Sequence, residues 1–264
     1  MKKHLVATLA LLVVVAGPAM AAAAADKEGG WRFALTPIAA WAFNAKGPVT
    51  LLDHTRYVNA SFGDISNNLN SAGGLGFQFG KGSWMGTFSA SKLEWEVDRA
   101  QGGALDPNAF DVTFEYSVAE LGFAHRLQIA RGPKSPSVEV LGFVRSSKFT
   151  LGAEDSSGVG FSGEEEKKWT DPFIGMRLVQ PIKGAFFGMM SADIGGFGLS
   201  SNQSQLTWDF MTGLGYHWNF KSWGMTLSGG YKAQQLMLQH ENGPEVFSID
   251  QRFQGPTVAL TFNW

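Results

Sequence analysis

The chain has 264 residues and not one cysteine, so no disulfide framework can hold it together and it needs a large sheet or core instead. Charge of one sign is scarce as well. Lys and Arg number 21 against 23 Asp and Glu, a formal balance of −2, which excludes a nucleic-acid binder driven by bulk charge. Beyond the first 25 residues no stretch reaches the roughly 18 consecutive apolar residues of a membrane-spanning helix. No histidine pair has metal-ligand spacing on one helix, and no Gly-rich loop joins a strand to a helix as phosphate binding requires. GGLGFQFGKG, from Gly73 to Gly82, has the glycines but reads as strand and turn. No cofactor, metal or nucleic acid is therefore expected.

What is present begins with an export signal. Met1-Lys2-Lys3-His4 is basic, Leu5 to Ala16 is apolar, and Ala19-Met20-Ala21 is a small-x-small cleavage site. This reads as a signal peptide over 1–21, with the alanine run admitting cleavage up to residue 25. Its removal takes Lys2 and Lys3 and lowers the charge to about −4. An exported chain without a second hydrophobic span is expected in the periplasm, outside the cell or in an outer membrane.

Residues 26–264 read as one domain. Turn residues punctuate it, among them Lys46-Gly47-Pro48, Gly80-Lys81-Gly82, Arg131-Gly132-Pro133 and Asn242-Gly243-Pro244. Between them hydrophobicity alternates with period two, the strand signature. In SQLTWDFMTGLGYHWNF, Leu206, Trp208, Phe210, Leu214, Tyr216, Trp218 and Phe220 share one face. The other face holds Thr207, Asp209, Gly213, Gly215, His217 and Asn219. The chain closes on GPTVALTFNW, with Val258, Leu260, Phe262 and Trp264 in the same phase. A soluble sandwich would bury the apolar face between two sheets. A membrane barrel would turn it to lipid. Aromatics near the strand ends, polar faces rich in Gly and in paired opposite charges, and short turns alternating with longer polar loops all favour the barrel.

The expected fold is therefore all-β: a single antiparallel transmembrane β-barrel of about ten strands. The strands are read at 31–43, 71–80, 83–98, 110–130, 136–152, 167–180, 185–197, 204–220, 222–240 and 246–264. Segment 44–70 has two readings. Val49–Leu52 and Val58–Phe62 form a further hairpin, making twelve strands, or 44–70 is an excursion in which Phe62–Leu69 turns helically and enters or covers the lumen. The apolar phase slips near Val118–Leu121 and at Gly255–Pro256, which a bulge or the membrane boundary would explain.

WTDPFIGMRL, ADIGGFGLSSNQSQLTWDFMTGLGYHW, LSGGYKAQQL and the terminal GPTVALTFNW resemble a widespread group of bacterial outer-membrane β-barrel proteins, small barrels of the OmpW and OmpA type in architecture. WRFALTPIAAWAF resembles that group's first strand. The resemblance implies a fold and a cell outer-membrane location, and brings no catalytic residues. It also implies that Leu260, Phe262 and Trp264 carry the signal read by the barrel-assembly machinery. Trp264 stands where Phe is usual.

Nine charged residues fall on the expected lumen face: Glu120, Arg126, Glu139, Arg145, Asp171, Arg177, Asp193, Asp209 and Lys232. On the lipid face each would cost about 2–4 kcal/mol near the midplane. Inside, they form either a polar channel or a set of salt bridges filling a narrow barrel. Asp171 and Arg177 lie too far apart to pair along one strand, so each is expected to find a partner on a neighbour, with Asp193 a candidate for Arg177. Asp53-His54 and His240-Glu241 are placed near the outer rim, where a barrel enzyme would hold its acid and histidine. His217 is expected in the lumen in a structural hydrogen bond. His125 falls on the lipid side, which would alternatively signal a register error. Glu154, Asp155, Glu164, Glu165 and Glu166, followed by Lys167 and Lys168, are either a weak cation site against lipopolysaccharide or a solvated loop.

The expected function is non-enzymatic: a small pore or carrier for small solutes, or a structural surface barrel. The alternative is a barrel enzyme acting on lipid or lipopolysaccharide at the outer rim. The expected partners are outer-membrane lipid, lipopolysaccharide, the barrel-assembly machinery and small solutes. A soluble periplasmic lipid-binding barrel would invert the sidedness.

Overall fold

The computed structural model describes residues 30–264 except 52–53, 68, 98–109, 128–134, 156–161, 200–203 and 243–244. The signal-peptide reading lies outside the described residues. Among the described residues twelve strands and one short helix follow in order: β1 (Trp31–Trp41), β2 (Asn44–Leu51), β3 (His54–Ala60), α1 (Phe62–Asn67), β4 (Leu69–Lys81), β5 (Trp84–Val97), β6 (Phe110–Leu127), β7 (Ser137–Asp155), β8 (Ser162–Lys183), β9 (Phe186–Gly196), β10 (Leu206–Asn219), β11 (Gly224–Asn242) and β12 (Glu245–Asn263). β1 and β4 to β12 form a ring of ten antiparallel strands, closed by β1 on β12. At the closure Phe33 and Trp264 exchange backbone hydrogen bonds of 2.9 and 3.1 Å.

The two ends differ. One carries tight turns, such as the β4–β5 reversal on Gly82 (φ 60°), where a left-handed residue is required. The other carries β2, β3 and α1 and the β5–β6, β7–β8 and β9–β10 connections.

Alternation sets the two faces of the wall. Leu121, Ile174 and Leu214 point outward, each 60% exposed or more, while Asp209 between Trp208 and Phe210 is 5% exposed. At the turn end the outward aromatics make a girdle. Trp31 and Trp264 flank Phe33, Trp84 lies on Phe123 and His125, Phe186 meets Tyr216, and Phe220 stacks on Trp223. His125 thus sits on the outer face against Trp84 at 4.3 Å, with the β5–β6 register intact, so its lipid-side phase is no register error.

Toward the loop end the outward residues become charged. Lys92 bridges Glu94 and Glu115, Glu166 bridges Lys148 and Lys168, and Gln235 donates to Asp250. Girdle and charge collar bound an apolar belt on the outer face.

Above the belt the pattern inverts. On β12, Val258, Leu260 and Phe262 point outward, whereas Phe253 and Ile249 point inward. On β6, Leu121 and Phe123 point outward, whereas Phe114 and Tyr116 pack inside. The β11–β12 and β6–β7 ladders run through both places without a shift. The two phase slips in the sequence are therefore no bulges: the apolar face changes sides where the surroundings of the wall change. The register shifts that do occur lie elsewhere, at Leu35/Ile38, Leu69/Ser71 and Pro181/Lys183.

Segment 44–70 combines both readings. β2 continues β1 along β12 in one register, from Ile38 opposite Leu260 to Leu51 opposite Phe247. β3 folds back on β2 as a hairpin that adds no strand to the ring. α1 follows, capped by Ser61, whose Oγ donates to Asp64 Oδ2 at 2.7 Å while the Asp64 amide returns to Ser61 Oγ.

Candidate functional site

All the interior charges lie on strands whose opposite faces meet the surroundings, so strand parity alone aims them inward. The tertiary fold decides which of them meet. Arg145 on β7 is the hub. Its Nε donates to Glu120 Oε1 at 2.7 Å, its Nη1 donates to Asp209 Oδ2 at 2.9 Å, and its Nη2 stands 4.0 Å from Asp193 Oδ1. Its guanidinium lies over Phe173 at 4.2 Å, and Phe173 stacks on Phe143. Lys232 Nζ reaches Asp209 Oδ1 at 2.9 Å and sits over the Trp41 ring. Ser89 Oγ donates to Glu120 Oε2 at 2.9 Å. The chain of contacts crosses the lumen from β5 to β11.

A second layer lies nearer the turn end. Glu139 is held between two arginines. It accepts from Arg177 Nε at 2.8 Å and from Arg126 Nε at 3.3 Å, with a further contact to Arg177 Nη2. Arg177 therefore pairs with Glu139 and not with Asp193. The ladders explain the difference. Glu139 is directly opposite Arg177 across β7–β8, whereas β8–β9 sets Ser191 beside Arg177, and β9–β10 sets Asp193 opposite Asp209. Asp171, opposite Arg145 in the ladder, is taken by Ser204, whose amide and hydroxyl donate to its two oxygens at 2.8 and 2.6 Å.

The remaining groups fill the two ends. At the turn end His217 Nδ1 lies 2.8 Å from Thr226 Oγ1 and its Nε2 2.8 Å from Asn219 Oδ1, while Thr36 meets Thr261. Toward the loop end the interior is apolar. Trp41, Phe43, Leu93 and Ile65 form one cluster, and Phe149, Trp169, Leu236, Leu238 and Ile249 another. The larger of two described cavities, about 20 Å³ beside Gln78, Ser89 and Glu120, has room for about one water.

The sequence reading left out the aromatic walls of the charge site, Phe143, Phe173 and Trp41. Phe143 and Phe173 share the parity of Arg145 and Asp171, and that signal would have found them. Ser204 lies in a connection with no strand parity to place it.

The rim residues fare differently. Asp53 and the side chains of His54, His240 and Glu241 lie outside the described residues, as do those of Glu154, Asp155, Glu164 and Glu165. Glu166 is engaged by two lysines at 2.7 and 2.6 Å, and their hydrogen bonds, from Lys148 first, hold its carboxyl down to about 2. Among the described residues no cluster of three acids or histidines is placed to hold a metal. Leu260 and Phe262 lie in the outward belt, and Trp264 lies at the girdle against Phe33.

No protein-family model and no curated protein matches the chain. Solved structures give distant likenesses. Ail, the attachment invasion locus protein of Yersinia pestis in complex with the heparin analogue sucrose octasulfate, aligns at TM-score 0.38 and 10% identity, covering 90% of this chain and 99% of that one. A Pseudomonas aeruginosa FadL homologue aligns at 0.27 and 8%, covering 88% and 90%. The P. putida toluene transporter TodX aligns at 0.27 and 9%, covering 89% of each chain. At these identities and TM-scores neither a shared function nor a shared ligand follows.

Proposed function

We propose that this protein is a non-enzymatic outer-membrane β-barrel that serves as a structural surface barrel and is closed as a pore. The observation that carries the reading is the filled lumen: Arg145, Asp209 and Lys232 join opposite walls, and the apolar layer lies above them. The outward belt, girdle and charge collar support a membrane location, with lipid against the belt and lipopolysaccharide phosphates against the collar lysines. Ser204 with Asp171, and His217 with Thr226, are separate hydrogen-bonded groups of the interior. Carriage of small solutes is a second reading only if the charge layer rearranges.

The test is planar-bilayer recording together with solute flux from proteoliposomes. Wild-type protein is expected to show no stable single-channel steps and no sugar or ion flux above empty vesicles. Steady conductance from wild type would overturn the closed-barrel reading.

A further inference from the structure

We propose that the seam between β1 and β4 is a lateral slot that binds an ester-linked membrane lipid, its acyl chain in the slot, with α1 as the inner closure. The proposal rests on the membrane-barrel reading above. The β1–β4 ladder runs from Trp31 opposite Lys81 to Thr36 opposite Gly76 and ends there. Beyond that pair β1 keeps β12 on one side, β4 keeps β5 on one side, and among the described residues neither has a strand on its facing edge. Pro37 follows the last pair at once and brings no N–H to extend it. β3 pairs with β2, so it does not fill the gap.

The margins hold small residues, Ala39 and Ala40 on β1 with Ala42 just beyond it, and Ala72, Gly73, Gly74 and Gly76 on β4, where Leu75 is the one bulky side chain among them. A methyl group built on Gly73 would meet nothing within 4 Å. The depth is fixed by the neighbouring strands. Ala40 lies opposite Val258 in the belt, and Leu75 lies opposite Ala90, just below the collar residue Lys92 opposite Gly73. The slot therefore opens onto the outermost hydrocarbon and the ester region above it.

Behind it stand Trp41, Phe43 and Leu93, covered by Ile65 of α1, which is 3% exposed. α1 has six residues, is tied to β2 by the Phe62 amide on Asn44 Oδ1 at 2.7 Å, and leaves Gly63 and Asp64 exposed. An unpaired strand edge in hydrocarbon carries backbone donors that need acceptors. Lipid ester carbonyls at this depth can accept from them. The attached chain, unbranched, fits between Ala and Gly margins and reaches the aromatic floor when Ile65 withdraws. No water-soluble ligand matches that combination of depth, donors and apolar floor.

The chain lacks cysteine, so single-cysteine variants report cleanly. Leu93→Cys in phosphatidylcholine–phosphatidylglycerol vesicles is treated with dodecylmaleimide or a sulfonated maleimide, with Leu214→Cys as the belt control. Dodecylmaleimide is expected to label Leu93→Cys at least about tenfold faster, from its partition into the bilayer. Adding Ala40→Trp at the slot mouth should abolish that preference while Leu214→Cys labels unchanged. Leu93→Cys resistant to both reagents, or labelled faster by the sulfonated one, overturns the slot. Leu214→Cys resistant to dodecylmaleimide overturns the membrane reading itself. If Leu93→Cys fails to fold, native mass spectrometry decides. One diacyl lipid retained by wild type and lost in Ala40→Trp supports the slot, and equal retention or none overturns it.

Discussion

Arg145 and Asp209 meet in the lumen with Nη1 2.9 Å from Oδ2, although β8 and β9 separate their strands around the ring. One guanidinium thus ties two parts of the wall that share no ladder, and serves Glu120 as well. Arg145→Met should strand Glu120, leave Asp209 with Lys232 alone, and cost about 3–5 kcal/mol. Urea unfolding of the detergent-folded barrel measures it. Arg145→Met combined with Glu120→Gln should recover part of the loss, because the stranded charge is gone. Strict additivity of the two changes would show that the contact carries no coupling.

Arg177 discriminates between two partners. If Glu139 is its partner, Glu139→Gln destabilises the barrel markedly, since Arg126 and Arg177 each lose a charged contact to this buried carboxylate. Asp193→Asn should leave the state of Arg177 unchanged and have the smaller effect. The opposite ranking in the same unfolding assay would contradict the β7–β8 pairing of these groups.

Glu166 tests the collar by pH. Its folded carboxyl lies at about 2, below the ordinary 4.5, because Lys148 and Lys168 hydrogen-bond the charged form. A depressed carboxylate contributes stability that is full above the unfolded pKa and is lost as pH falls from about 4.5 toward about 2. Carbon-detected NMR should find Glu166 still ionised at pH 3. Lys148→Met should move its titration upward, and a wild-type midpoint near 4.5 would remove the clamp. The group is solvent-exposed, so the global stability change should be slight.

Sidedness is tested with spin labels at Trp208, Phe210, Leu214 and Leu227 against labels at Asp209, Thr226 and Lys232. The first set should relax with oxygen dissolved in lipid and ignore water-soluble nickel chelates. The second set should be shielded from the lipid-dissolved quencher. Leu214→Arg should cost about 2–4 kcal/mol near mid-membrane. Quencher access in the reverse sense would sink the membrane barrel.

Trp264 stacks on Phe33 and shares two backbone hydrogen bonds with it at the closing seam. Trp264→Asp at the interface should cost little in folding, about 0–1 kcal/mol. If Leu260, Phe262 and Trp264 are read during assembly, the variant folds in detergent yet accumulates in the periplasm, while Trp264→Phe behaves as wild type. Normal outer-membrane levels of Trp264→Asp would exclude the aromatic ring as the recognition element.

The sequence by itself determined the wall. Period-two alternation needs only local backbone geometry, so it told that Leu214 and Asp209 face opposite ways, that ten strands follow in order, and that nine charges turn inward. It also marked the two places where the apolar face changes sides. It did not determine who meets whom inside. Glu139 reaches Arg177, Asp171 turns to Ser204, and Arg145 spans to Asp209, because lumen contacts depend on ladder register and on the curvature that brings distant strands face to face. The same holds for Pro37 and Leu75. Each reads as an ordinary strand residue, and only closure of the ring, with β2 and β3 leaving along β12, parts the two edges and puts Ile65 behind the gap.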